Sequence, residues 1–115
     1  MADLTIVTPT IAGVAESMVA AAVGGDAFVN DGNTLLRVNN ASGGSINVTI
    51  ASQYSVNQTL PPGTANANQV VAVGAGTSKV IGPFPKGSWN DANGKVQVSY
   101  SAVTSVTVGA IKITR

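Results

Sequence analysis

Two segments of the chain alternate strictly between apolar and polar residues, and this pattern constrains the fold more than any other feature. They span residues 45–50 and 95–101. The apolar positions are Ile46, Val48 and Ile50 in the first segment, and Val96, Val98 and Tyr100 in the second. Because successive side chains of a β-strand point to opposite faces, each segment predicts a strand with one buried and one polar face.

A turn signal separates two further runs that are typical of strands. Residues 27–30 and 33–39 flank the pair Asp31-Gly32. Both residues of an Asp-Gly pair tolerate positive φ angles, as the tight turns between paired strands require. The sequence therefore predicts a β-hairpin over residues 27–39.

Glycine also marks a turn in the second half of the chain. Residues 69–73 and 78–81 flank the segment 74–77, which contains two glycines, and this pattern predicts a second hairpin. The last predicted strand spans residues 105–114, where the inward-facing positions change near Gly109. A β-bulge at this glycine would shift the register in that way.

The N-terminal segment, residues 1–24, leaves two structures open. Its apolar side chains at Ile11, Val14, Met18 and Ala22 have roughly helical spacing. Gly13 and the shortness of the segment oppose a helix, so we favour an extended arm or edge strand in the same domain. Residues 25–115 are expected to form the body of the fold.

These elements together predict one all-β domain. A chain of 115 residues suits a single domain. Short strands at regular spacing, with turn residues between them, are typical of β-sandwiches and barrels. We expect a sandwich or barrel, jelly-roll-like in character, with about six to nine short antiparallel strands and an N-terminal arm.

The side-chain inventory argues against catalysis and against cofactor or metal sites. The chain has no His and no Cys, which removes the commonest general base and the commonest transition-metal ligands. Three of the five acidic residues, Asp26, Asp31 and Asp91, adjoin glycine or asparagine in turn-like contexts. We therefore expect a protein that is not an enzyme and that binds neither cofactor nor metal.

The charge distribution indicates a protein that associates with other proteins. Only 10% of the residues are charged and the net charge is +1, so little repulsion opposes association. The basic residues are scattered, which argues against a nucleic-acid partner. The most apolar stretch, residues 11–23, contains Glu16 and is shorter than the ~20 residues that span a bilayer. With no secretory leader visible, synthesis in the cytoplasm and no membrane partner are expected.

Three places are candidates for contacts with a partner. Phe84 and the single Trp89 lie in an irregular segment, where large aromatic residues either close the end of a core or anchor an interface. Pro61 and Pro62 lie in a long polar loop. The N-terminal arm offers a third contact. The candidate interface residues are Leu4, Ile6, Pro61, Pro62, Phe84 and Trp89.

The whole chain resembles small proteins encoded near the major capsid protein of tailed bacteriophages. The resemblance rests on residues 20–34 (AAAVGGDAFVNDGNT), 36–40 (LRVNN), 48–50 (VTI), 81–85 (IGPFP) and 98–101 (VSYS). It implies a capsid decoration, or cement, protein. Such proteins are all-β subunits, often homotrimers, that bind the outer surface of the assembled capsid and stabilise it. The implied partners are the major capsid protein and further copies of this chain, and the implied location is the virion, after synthesis in the host cytoplasm.

Two other functions stay open at this point. The chain is also compatible with another phage structural component, such as a tail, neck or head-fibre base subunit. A carbohydrate-binding β-sandwich is the third possibility, for which Tyr54, Trp89 and Tyr100 are the available aromatic platforms.

Overall fold

The computed structural model describes residues 2–53 and 68–113. Within these ranges the chain forms ten strands and one short helix. The strands are β1 (Ala2–Asp3), β2 (Ile6–Val7), β3 (Val19–Ala20), β4 (Asp26–Val29), β5 (Thr34–Asn40), β6 (Ile46–Ile50), β7 (Gln69–Val73), β8 (Thr77–Ile81), β9 (Lys95–Tyr100) and β10 (Val106–Lys112). The helix α1 (Lys86–Trp89) lies between β8 and β9.

The strands form two sheets that pack against each other. The first sheet has the order β1-β4-β9-β6-β7, and the second has the order β2-β10-β5-β8, with β3 also paired to β10. The expected all-β sandwich is confirmed. Both sheets are mixed, because β1 pairs with β4 and β2 with β10 in parallel, while the other pairs are antiparallel.

The core lies between the two sheets and comes from alternate residues of their central strands. The predicted alternation is confirmed, because Ile46, Val48 and Ile50 are buried in β6 while Asn47 is exposed. In β9 the side chains of Val96 and Val98 are buried and Tyr100 is half-buried against the core. The central strand of the second sheet contributes Leu36 and Val38, both fully buried.

The hairpin predicted over residues 27–39 is wrong. Strand β4 pairs with β1 and β9 in the first sheet, whereas β5 pairs with β8 and β10 in the second. The turn itself is present, since the side-chain oxygens of Asn30 and Asp31 accept hydrogen bonds from the backbone N–H groups of Gly32 and Asn33 at 3.0 Å. It carries the chain from one sheet to the other and does not join two paired strands.

The second predicted hairpin is wrong for the same reason. Strand β7 is the edge of the first sheet and pairs with β6, while β8 is the edge of the second sheet and pairs with β5. The turn between them is closed by the Thr77 N–H, which donates to the Gly74 carbonyl at 3.1 Å. The predicted turn is present, but the strands that it joins belong to opposite sheets.

The bulge predicted at Gly109 is also wrong. Strand β10 pairs with β5 in an unbroken register from Val106↔Asn40 to Lys112↔Thr34. A Cβ atom at Gly109 would lie 2.7 Å from the Sδ atom of Met18 and 3.0 Å from the carbonyl oxygen of Ser17. Glycine at this position therefore lets a distant part of the chain cross closely over the sheet.

That distant part is the N-terminal arm, which is extended, as we favoured, and contains no helix between residues 2 and 24. Its first strand, β1, lies beside β4 at the edge of the first sheet, and its second, β2, lies beside β10 in the second sheet. Strand β3 returns to the same edge of β10 in the opposite direction. The arm thus links the edges of both sheets on one side of the sandwich.

Candidate interaction surface

The arm is held to the first sheet by backbone hydrogen bonds at its start. The N–H of Ala2 donates to the carbonyl of Gly25 at 3.2 Å, and the N–H of Leu4 donates to Ala27 at 2.8 Å. The side chain of Leu4 is 7% exposed and belongs to the core. The beginning of the arm is therefore an integral part of the subunit.

Between β2 and β3 the chain leaves the sheet and returns to it. We call residues 8–18 the arm loop. Val7 lies opposite Ile111 and Val19 lies opposite Val108, so the two ends meet β10 only three residues apart, which is about 10 Å along a strand. Residues 8–16 of this loop are exposed, so most of the arm loop lies at the surface of the subunit.

The base of the arm loop is fastened to the second sheet. Met18 packs over Gly109 of β10. The Glu16 carboxylate forms an ion pair with Arg37, a residue of β5 that lies opposite Gly109. The tip of the loop is a turn in which the Gly13 N–H donates to the Thr10 carbonyl at 2.9 Å. Ile11 occupies this turn and its side chain is fully exposed.

The arm loop and the segment after it carry half of the large apolar side chains that are exposed in the described ranges. Those in residues 11–23 are Ile11, Val14, Val19 and Val23. The others lie singly on strands or at the C-terminal end: Val29, Val70, Val80 and Ile113. Single exposed apolar side chains are ordinary on protein surfaces. The four in residues 11–23 follow closely along one segment, which makes this segment the first candidate for a contact with a partner.

The candidate interface residues from the sequence lie apart from that segment or are buried. Leu4 and Phe84 are in the core, and Ile6 is half-buried in its pairing with β10. Trp89 is also half-buried. Pro61, Pro62 and the loop around them lie outside the described residues. Sequence reasoning missed Ile11, although residues 11–23 were identifiable as the most apolar stretch.

Phe84 and Trp89 belong to an aromatic cluster at one end of the sandwich. The ring of Phe84 lies 5.8 Å from that of Phe28 and 6.3 Å from that of Trp89, the latter in an edge-to-face arrangement. Gly82 permits this packing, because it has a φ of +123° and a Cβ atom there would lie 3.2 Å from Phe84 and 3.1 Å from the Thr34 carbonyl oxygen. The geometry of Phe84 matches the core interpretation of this segment.

Two asparagines close the same end of the sandwich. The side-chain amide of Asn30 donates to Asn90 Oδ1 at 2.7 Å and to the Phe84 carbonyl at 2.8 Å. Asn90 donates in return to the Asn30 carbonyl at 2.8 Å. Both side chains are buried, and a buried amide is tolerated when its hydrogen bonds are made.

Asn40 has the same role where β5 ends. It is completely buried, and its amide donates to the carbonyls of Val73 and Gly44 at 3.0 and 2.8 Å. Its Oδ1 accepts from the N–H and the hydroxyl of Ser42. Because Val73 belongs to the first sheet and Asn40 to the second, this side chain joins the two layers.

Asp26 in β4 carries the one buried carboxyl group of the described ranges. Its Oδ2 accepts a hydrogen bond from the Tyr100 hydroxyl at 2.7 Å and from the Ala22 N–H at 3.2 Å. Burial of the phenol and its hydrogen bond to Asp26 raise the pKa of Tyr100 well above its usual value. Because the Tyr100 phenol stays protonated and the Asp26 carboxyl accepts hydrogen bonds from two donors, we interpret this pair as a structural contact.

The other acidic residues of the described ranges are satisfied at the surface. Asp3 pairs with Lys95, and Asp31 with Lys112, each at 3.0 Å. The hydrogen bond from Lys112, together with the Asn33 N–H, holds the pKa of Asp31 below its usual value. Burial opposes ionisation of Asp91, but hydrogen bonds from the side chain of Gln97 and the N–H of Lys95 outweigh it and lower its pKa.

The described ranges, residues 2–53 and 68–113, contain no pocket and no group of three or more potential metal ligands. In the same part of the chain, no helix is long and apolar enough to cross a bilayer. Two of the aromatic residues considered for a glycan site make contacts inside the subunit: Trp89 with Phe84, and Tyr100 with Asp26. Tyr54 lies outside the described residues.

Comparisons with models of known protein families, with curated proteins and with solved structures found no match to this chain.

Proposed function

We propose that this protein is a virion structural protein that binds the outer surface of an assembled bacteriophage capsid and stabilises it. The observation that carries the proposal is the contrast between the interior and the surface. Every buried side-chain nitrogen or oxygen in the described ranges has a hydrogen-bond partner, while Ile11, Val14 and Val23 lie exposed in one segment. The buried polar groups of the described ranges need no further partner, while these exposed apolar residues are available for one.

The low charge of the protein supports the same proposal. The ion pairs of Asp3, Glu16 and Asp31 neutralise acidic groups at the surface, and the net charge of the whole chain is +1. Such a surface exerts little long-range electrostatic attraction or repulsion. Its affinity for a partner comes from close packing and hydrogen bonds, which suits a subunit that occupies many equivalent sites on a shell.

Stabilisation of a shell follows from binding many copies across the seams between capsid subunits. An interface of about 1,000 Å² or more per copy would give each copy a specific site. Contacts from a homotrimer would act together, because binding of one subunit raises the effective concentration of the other two at their sites. The partners in this proposal are therefore the major capsid protein and two further copies of this chain.

A sedimentation experiment tests the proposal. The purified protein is mixed with shells assembled from the major capsid protein that we propose as its partner, in their expanded and unexpanded forms, and the bound protein is quantified. We expect saturable binding to expanded shells, and a solution mass of three monomers for the free protein. The absence of binding to either form would refute the capsid role, and binding to isolated tail or neck assemblies instead would favour another structural role.

A further inference from the structure

We infer that Ile11 is a preformed apolar anchor that inserts into a recess on the capsid subunit, an inference that rests on the proposed function. Ile11 is fully exposed at the tip of the arm loop, although isoleucine is among the residues most often buried in proteins. A large apolar side chain at the tip of a hydrogen-bonded turn is placed to enter a concave site on another molecule. Once there, it would lose most of its contact with water.

The arm loop holds Ile11 in place before binding. The turn is closed by the hydrogen bond between Thr10 and Gly13, and Gly13 has a φ of +86°, which favours glycine. At the base of the loop, Met18 packs over Gly109 and Glu16 pairs with Arg37. A loop that is already ordered loses less conformational entropy on binding, so more of the contact energy remains as affinity.

Charge favours a protein as the partner. Residues 1–36 contain no Lys or Arg, and the only charged side chain of the arm loop is that of Glu16, which pairs with Arg37. Attachment to anionic lipid depends on basic residues near the apolar ones. An apolar tip on a loop whose one charged side chain is paired fits instead a recess in a protein surface with few charges around it.

A second copy of this chain is a poorer fit. The described ranges offer Ile11 no recess. The partner is therefore a different protein whose surface is concave and apolar where the tip binds, and the proposed function assigns this role to the major capsid protein.

The test compares two variants that each remove one exposed apolar side chain. Ile11→Ser removes the anchor, and Val80→Ser, on strand β8, is the matched control because Val80 is also exposed. Both variants should melt as the wild type does, since neither side chain is in the core. Affinity for expanded shells is measured by sedimentation. We expect Ile11→Ser to weaken binding roughly ten- to a hundredfold, the range for losing one buried aliphatic side chain, and Val80→Ser to bind like the wild type.

The outcomes distinguish failure of the anchor from failure of the proposed function. Wild type and Ile11→Ser binding shells with equal affinity would overturn the anchor while the capsid role stands. No shell binding by the wild type would overturn both. A change in solution mass caused by Ile11→Ser would assign the tip to contacts between copies, and an Ile11-dependent attachment to phosphatidylcholine or phosphatidylglycerol vesicles would assign it to lipid; either result would contradict the inference.

Discussion

The hydroxyl of Tyr100 donates a 2.7 Å hydrogen bond to the Oδ2 atom of Asp26, and the same oxygen accepts the N–H of Ala22. Tyr100 belongs to β9, Asp26 to β4, and Ala22 follows the last strand of the arm. One buried carboxyl oxygen therefore connects the centre of the first sheet to the segment that leads out of the arm. This contact links the stability of the body to the position of the arm.

Replacing Tyr100 with Phe should destabilise the protein by about 1–3 kcal/mol, because Asp26 would lose a donor while remaining buried. The free energy of unfolding from a denaturant titration measures the effect. Ser99→Ala is the control, since Ser99 is exposed on the same strand. Equal stabilities of Tyr100→Phe and wild type would show that this hydrogen bond contributes nothing.

The same contact predicts a dependence on alkaline pH. Folding raises the pKa of Tyr100, so the folded state retains the phenol proton where the unfolded state releases it. This contribution to stability is present below the unfolded pKa of about 10 and declines as the pH rises above it. The free energy of unfolding should fall more steeply above about pH 10 in wild type than in Tyr100→Phe. Parallel pH profiles of the two proteins would contradict this.

A pair of aspartate substitutions on β9 tests the strand register. Val98 is 1% exposed in the core, so Val98→Asp buries an unpaired charge and should prevent folding. Ser99→Asp places the same charge on the next residue, which is exposed, and should leave the melting temperature nearly unchanged. Thermal unfolding followed by circular dichroism measures both. A folded Val98→Asp with an unchanged melting profile would contradict the register.

Gly109→Ala should displace the arm loop without unfolding the sandwich. The new Cβ would collide with Met18 and crowd the Ser17 carbonyl, at a cost of about 1–3 kcal/mol, typical of overpacking. Limited proteolysis should then cut within residues 8–18 faster than in wild type. Gly44→Ala is the control, since nothing lies within 4 Å of a Cβ at that position. Unchanged cleavage in Gly109→Ala would mean that the arm loop does not depend on this contact.

The strands of the body were predictable because their signal is local. Alternation at Ile46, Val48 and Ile50 records that one face of β6 is buried, and it requires no knowledge of the partner strands. The all-β class follows from several such segments. The turns at Asp31-Gly32 and Gly74–Thr77 were also visible, because their chemistry lies within four residues.

The pairing of strands and the role of Gly109 could not be predicted from local patterns. The same turn residues can join two paired strands or carry the chain from one sheet to the other. The outcome depends on which sheet the next strand pairs with, and the turn residues do not encode this. Met18, which is distant in sequence, packs so closely over position 109 that only glycine fits there. In the sequence, this glycine could not be distinguished from one that marks a β-bulge. The exposure of Ile11 likewise depends on where the arm returns to β10.

The most direct test of the capsid role is the heat stability of the shell itself. Expanded shells of the partner capsid protein are heated with and without a saturating amount of this protein, and their disassembly is followed by light scattering. Because a ligand that binds the assembled state stabilises it by mass action, we expect a higher disassembly temperature in the presence of the protein, and a rise that follows its concentration up to saturation. An unchanged disassembly temperature at all concentrations would contradict the proposed capsid role.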